Sequence, residues 1–161
     1  MGLIRVVWGT ARAPTEMASY DAALAEANVH NYNLVSVSSV VPAGARVERV
    51  GRAPDLGPAG ERLTVVQARA TVSEGHAAAG LGWATEANGR GLFYETSGDD
   101  PEAVRREVEE GLDAGRNLRD WAFEDEGFQS AESDPVGDNG DDGEYATAVV
   151  LAVYGESSPI V

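Results

Sequence analysis

Asn33-Leu34-Val35-Ser36-Val37-Ser38-Ser39-Val40-Val41-Pro42 reads as a β-strand. Leu34, Val35, Val37, Val40 and Val41 favour a pleated, half-buried backbone, and Pro42, which has no N–H for a ladder, ends the run. Two serines stand side by side in its middle, and Asn33 lies six residues before the second. In a strand, neighbouring side chains point to opposite faces, so by itself the pair is one hydroxyl on each side of a sheet. Its meaning depends on what the rest of the chain supplies.

Toward the N-terminus, Leu3 to Trp8 is an apolar, β-branched run stopped by Gly9, with a loop from Gly9 to Pro14. Glu16 to Asn28 has helical periodicity, with Met17, Tyr20, Leu24 and Ala27 three and four residues apart. Asp21 falls on that apolar stripe; the plain account is an acid favoured near a helix start by the helix dipole. Toward the C-terminus come a short strand at Val47–Val50, a Gly/Pro loop from Gly51 to Gly60 and a long strand from Leu63 to Val72. His76 to Ala87 is a strand whose small residues predict close packing. Asn88-Gly89 is a hairpin signal leading into Gly91-Leu92-Phe93-Tyr94-Glu95-Thr96, with Glu95 at the strand's end before a Thr96-Ser97-Gly98 turn. Asp99-Asp100-Pro101 opens a well-capped helix whose buried face includes Val104, Val108 and Leu112. A strand with an acidic edge follows from Trp121 to about Ser133, then an acidic loop from Asp134 to Gly143, then a closing apolar strand from Glu144 to Tyr154. The loop's Asp/Asn/Gly spacing hints at calcium, but the closing glutamate of an EF-hand is missing, so a solvated loop is expected. Two helices among about seven strands without βαβ alternation predict an α+β fold with mainly antiparallel sheet.

The 161 residues contain no cysteine and no long apolar run, which predicts one domain over 1–161 without a membrane span. Nothing marks the chain for export, so the cytoplasm is expected. Twenty-seven acids against twelve bases give a formal charge of −15. Such a surface repels nucleic acid and anionic lipid and argues against both as partners. At about 1 M salt the Debye length is only ~3 Å, so this composition suits strong brine. All twelve bases are arginine. Carbanion chemistry on amino acids commonly uses pyridoxal phosphate held on a lysine, and this chain has no lysine. With no cysteine and only His30 and His76, it is also poorly supplied for a metal centre or a catalytic triad. An electron sink has to come from a bound cofactor or from the backbone itself.

Tyr20-Asp21-Ala22-Ala23-Leu24, Asn33-Leu34 with Ser38-Ser39 and Pro42, and Gly91-Leu92-Phe93-Tyr94-Glu95 resemble, in order and spacing, the pyruvoyl-dependent arginine decarboxylases. The helix ending before Arg119-Asp120-Trp121 is similar as well. The resemblance implies a four-layer αββα sandwich and a homotrimer of processed subunits, paired or not into hexamers, with active sites at subunit interfaces. It implies self-cleavage between Ser38 and Ser39, giving a 1–38 β chain and a 39–161 α chain headed by a pyruvoyl group made from Ser39. Asn33 matches the family's asparagine near the cleaved bond, where its amide would polarise the carbonyl or align the hydroxyl. Glu95 matches the proton donor, and Asp21 the carboxylate that receives the guanidinium of L-arginine, whose decarboxylation gives agmatine. Neither pyridoxal phosphate nor metal enters that chemistry. Two alternatives share these residues: a decarboxylase of another basic amino acid, and an unprocessed homologue serving as a non-catalytic assembly or binding subunit.

Overall fold

The segment 33–42 folds as two short strands in two different sheets. In the computed structural model, residues 2–137 and 143–161 are described; the middle of the acidic loop, on which the calcium reading falls, lies outside them. The described elements are β1 (Leu3–Ala13), α1 (Glu16–Ala27), β2 (Asn33–Ser36), β3 (Val40–Val41), β4 (Arg46–Gly51), β5 (Arg62–Val72), β6 (Ala78–Glu86), β7 (Gly91–Gly98), α2 (Pro101–Asn117), β8 (Phe123–Glu132) and β9 (Tyr145–Tyr154). One sheet has the order β2-β5-β9-β1-β4 and the other β3-β7-β6-β8. Only β1/β4 and β2/β5 pair in parallel; the remaining ladders are antiparallel.

Three apolar clusters define four layers. Ile4, Val6, Val66 and Val150 of the five-stranded sheet meet Leu81, Trp83 and Phe93 of the four-stranded sheet. On the outer face of the first sheet, Val7, Leu63, Val149 and Leu151 pack against Ala23, Leu24 and Ala27 of α1. On the outer face of the second, Ala84 and Leu92 pack against Val108 and Leu112 of α2. The order is therefore helix, sheet, sheet, helix, the αββα sandwich expected from the resemblance.

Small residues set the spacing of these layers, as the Ala/Gly-rich strand foretold. A Cβ on Gly82 would stand 2.5 Å from the Val108 side chain, so α2 lies closer to β6 than any larger residue would allow. Gly9 plays the same part under α1, where a Cβ would meet the Ala23 carbonyl oxygen at 2.3 Å. It does not stop β1, which runs on to Ala13 because Thr10 to Ala13 stay paired with Tyr145 to Ala148 of β9. The expected loop from Gly9 is thus mostly strand. A buried chain of hydroxyls also fixes α1: Ser19 Oγ lies 2.7 Å from Thr147 Oγ1, which lies 2.7 Å from Thr71 Oγ1.

That seating rotates α1 away from the expected stripe. Ser19, Ala23, Leu24 and Ala27 are buried, while Met17 is 68% exposed and Asp21 is exposed. Leu24 and Ala27 of the expected stripe are buried and Tyr20 packs beside them, while the small Ser19 and Ala23 take the place against the sheet expected for Met17. No helix among the described residues is long and apolar enough to cross a membrane.

Ion pairs such as Arg105–Glu109 and Arg116–Asp113 lie on the surface and pair only a fraction of the acids. The remaining repulsion is spread over a charge of −15. The unfolding midpoint is expected to rise steeply as salt goes from about 0.1 M to several molar. A thermal melt series in sodium and potassium chloride checks this, and a flat midpoint would remove the electrostatic argument.

Candidate active site

The crossing from β2 to β3 puts the serine pair at the open edge of the sandwich. The first ladder continues as far as Val37, whose N–H donates to the Val65 carbonyl at 3.0 Å. The chain then turns: the Val40 N–H donates back to the Ser38 carbonyl oxygen at 2.8 Å, closing a tight loop around Ser39. The second ladder takes over with the Phe93 N–H donating to the Ser39 carbonyl at 2.8 Å. Ser39 is half-buried, whereas Val37, Ser38 and Val40 on either side are exposed.

Glu95 reaches Ser39 because both belong to the four-stranded sheet. β7 does not end at Glu95, as the sequence suggests; it runs to Gly98, held by β6 out to Ala78. Glu95 is therefore a mid-strand residue on the same face as Phe93, two positions away, looking into the space between the sheets. The Ser39 hydroxyl donates to Glu95 Oε2 at 3.2 Å. Burial raises the Glu95 pKa above its ordinary value, against smaller lowering contributions from the Ser39 hydroxyl and its own backbone.

Tyr154, which sequence reasoning missed, closes the site from the opposite sheet. Its ring packs edge-on against Phe93, centroids 6.0 Å apart, and its hydroxyl donates to the Val40 carbonyl at 2.9 Å. Burial first, then the nearby Glu95 charge, pushes its pKa up to about 12, so the hydroxyl remains a donor at neutral pH. The available signal was a tyrosine at the end of the most apolar strand, where a half-buried O–H has to find a partner.

The other two expected residues lie elsewhere in this chain. The Asn33 side chain donates to the Gly60 carbonyl at 2.7 Å, and its own N–H to Glu61 at 2.9 Å, at the far end of β2. Asp21 stands on the outer helix α1 in a shallow surface pocket with Met17, Tyr20 and Leu24. The fold thus joins Ser38, Ser39 and Glu95 and keeps Asn33 and Asp21 apart from them.

A family model for pyruvoyl-dependent arginine decarboxylase matches residues 3–159. The chain belongs to the pyruvoyl-dependent arginine decarboxylase family. It is 52% identical to the enzyme of that name from Halobacterium salinarum, over 99% of this chain and 98% of that one. It is 34% identical to the one from Pyrococcus furiosus, over 76% and 78%, and 29% identical to the one from Methanopyrus kandleri, over 92% and 93%. The family activity is arginine decarboxylation with a pyruvoyl cofactor. The β3 edge has the polar, half-buried lining such a group would need: the Ser39 carbonyl is held by the Phe93 N–H, and the Glu95 carboxyl lies 3.2 Å from the Ser39 hydroxyl.

Proposed function

We propose that the chain is a self-processing decarboxylase that converts L-arginine to agmatine and carbon dioxide in the cytoplasm of a salt-adapted cell. The observation that carries this reading is the Ser39 hydroxyl resting on Glu95 at 3.2 Å beside the Ser38–Ser39 bond. In maturation, Ser39 Oγ attacks the Ser38 carbonyl carbon and the amide becomes an ester, the hydroxyl proton ending on nitrogen. Loss of the Ser39 Cα proton then expels Ser38 as a carboxylate and leaves dehydroalanine at residue 39. Its tautomer takes up water and releases ammonia, so one domain spanning 1–161 becomes chains 1–38 and 39–161.

Amide-to-ester transfer is uphill, so it needs an attacking group aligned in advance and a stabilised oxyanion. Glu95 aligns the hydroxyl. When present, the pyruvoyl group supplies a conjugated carbonyl that accepts the electron pair released with carbon dioxide. Glu95 then gives its proton to the substrate Cα, a task suited to a carboxyl whose pKa burial has raised. No pyridoxal phosphate or metal is part of this reading, which is supported by a sequence without lysine or cysteine.

Asp21 receives the substrate guanidinium in a planar two-point contact. Its separation from Ser39 within one chain supports assembly into trimers, alone or paired as hexamers, in which a neighbouring copy brings Asp21 and Asn33 to the site. Exposed Met17, Val35, Val37 and Val40 give that contact an apolar lining. Sedimentation in molar salt tests the assembly; a monomer that decarboxylates arginine would sink it.

The reading as a whole is tested by folding the chain in molar salt, measuring intact mass and assaying agmatine. Two fragments and agmatine are expected; one full-length species without activity would leave a non-catalytic homologue. Asp21→Asn keeps the shape and loses the charge, and a charge-assisted contact is worth about 1.5–3 kcal/mol. Arginine turnover should fall by roughly ten- to a hundredfold while cleavage persists. Unchanged arginine kinetics would assign the guanidinium to another acid.

A further inference from the structure

We infer that the backbone N–H of Val40 is the oxyanion donor for cleavage of the Ser38–Ser39 bond, and that the Tyr154 hydroxyl positions it. This rests on the self-cleavage proposed above. The oxygen that becomes negative when Ser39 Oγ adds to the Ser38 carbonyl is the one that already accepts the Val40 N–H at 2.8 Å. A donor fixed there before reaction needs no reorganisation as charge develops, the property that makes oxyanion donors effective.

Strand geometry explains why this amide is free for the task. Val40 faces Leu92 across the β3/β7 ladder, while the Phe93 N–H bonds Ser39 next to it. In an antiparallel pair, bonded and non-bonded positions alternate, so both polar groups of Val40 point away from β7. β3 is an edge strand, so no further strand takes them. The N–H turns back on Ser38, and the carbonyl is taken by Tyr154 at 2.9 Å. Tyr154 comes from the other sheet and is braced against Phe93, which holds Ser39 through its own N–H. The peptide planes on both sides of Val40 are thereby clamped to groups on opposite sheets. The Asn33 amide, committed to Gly60 within the chain, leaves this oxygen to Val40; the carbonyl keeps a second lone pair for a donor from a neighbouring copy.

The test is the rate of appearance of the 39–161 fragment by intact mass after refolding in molar salt. Val40 is replaced by its α-hydroxy acid through cell-free suppression, which turns the N–H into an oxygen, or by Val40→Pro; valine restored at position 40 by the same suppression is the control that keeps both the N–H and the side chain. Loss of one oxyanion donor typically costs about 10²–10³ in rate, and that slowing is expected in both N–H-less chains but not in the control. Because the ladder does not use this N–H, tryptophan fluorescence and the unfolding midpoint should stay near native. A folded N–H-less chain that cleaves at the native rate overturns the inference. Should neither fold, Tyr154→Phe decides: slowing by roughly two- to tenfold, restored by 3-fluorotyrosine, supports it, and a native rate overturns it. An uncut native chain would take down the cleavage reading itself and this inference with it.

Discussion

Ser39→Ala is expected to leave the chain in one piece of 161 residues, with no pyruvoyl group and no decarboxylation. The effect is absolute because the attacking atom is removed, and no other hydroxyl is built into the turn on the C-terminal side of the Ser38 carbonyl. The fold should tolerate the change. Ser39 is held through its backbone, by the Phe93 N–H on its carbonyl, and its side chain makes one hydrogen bond, to Glu95. Loss of that bond costs about 1 kcal/mol, a modest shift in melting temperature. Ser38→Ala is the informative partner. Ser38 contributes only its carbonyl to the reaction, so this variant should still split, its 1–38 fragment ending in alanine. Mass spectrometry of both chains checks the pair. A Ser39→Ala chain that still divides at residue 38 would show that another nucleophile opens the bond.

Glu95→Gln should separate the two chemistries. Glutamine still accepts a hydrogen bond from the Ser39 hydroxyl, so the chain should be cut, its 39–161 fragment blocked to N-terminal sequencing and reactive toward borohydride with an amine. It has no proton to deliver, and turnover should fall by at least ~10²-fold, the lower end of what placed acid catalysis contributes. The pH profile carries the same distinction. Burial raises the Glu95 pKa above 4.5, and the Ser39 hydroxyl is the larger of the two groups pulling it back. Cleavage removes that hydroxyl with the Ser38 carboxylate, so the processed enzyme should hold Glu95 protonated to a still higher pH. Turnover should decline as pH rises through this raised value, and the decline should be absent from the Gln variant's residual rate. Stability carries the same sign. A carboxyl raised in the folded state contributes stability that is complete below its unfolded pKa and is lost as pH climbs through the folded one. Near-native agmatine output from cut Glu95→Gln would assign the proton to another group; an uncut variant would show that maturation needs the Glu95 carboxyl itself and not only an acceptor that aligns the Ser39 hydroxyl.

Much of the architecture was legible because it rests on local signals. The capping of α2 could be read directly: the Asp100 side chain accepts the Glu102 N–H at 3.0 Å and Pro101 opens the helix, as the acid-acid-proline run implied. The hairpin at Asn88-Gly89 and the long strands at Arg62–Val72 and Tyr145–Tyr154 were likewise visible in turn chemistry and β-branched runs. Strand ends were less legible. Residues Thr96 to Gly98 read as a turn yet pair with Ala78 to Gly80, since a partner strand outweighs the local preference of Thr, Ser and Gly.

The sequence by itself determined the α+β class, the acidic surface, the absence of a lysine for pyridoxal phosphate, and the choice of Ser38, Ser39 and Glu95 as residues worth watching. The first three follow from composition and periodicity, which need no partner in space; the three residues follow from the resemblance of their motifs, in order and spacing, to the pyruvoyl-dependent arginine decarboxylases. Tertiary structure alone decided that 33–42 breaks between two sheets, because both halves favour the same extended backbone and only their ladders differ. It alone rotated Asp21 off the buried stripe, since Ser19, Ala23 and Ala27 could approach the sheet more closely than Met17. It alone brought Tyr154, 115 positions from Ser39 in the sequence, to the Val40 carbonyl. A contact made between two sheets by residues that distant leaves no periodic trace along the chain.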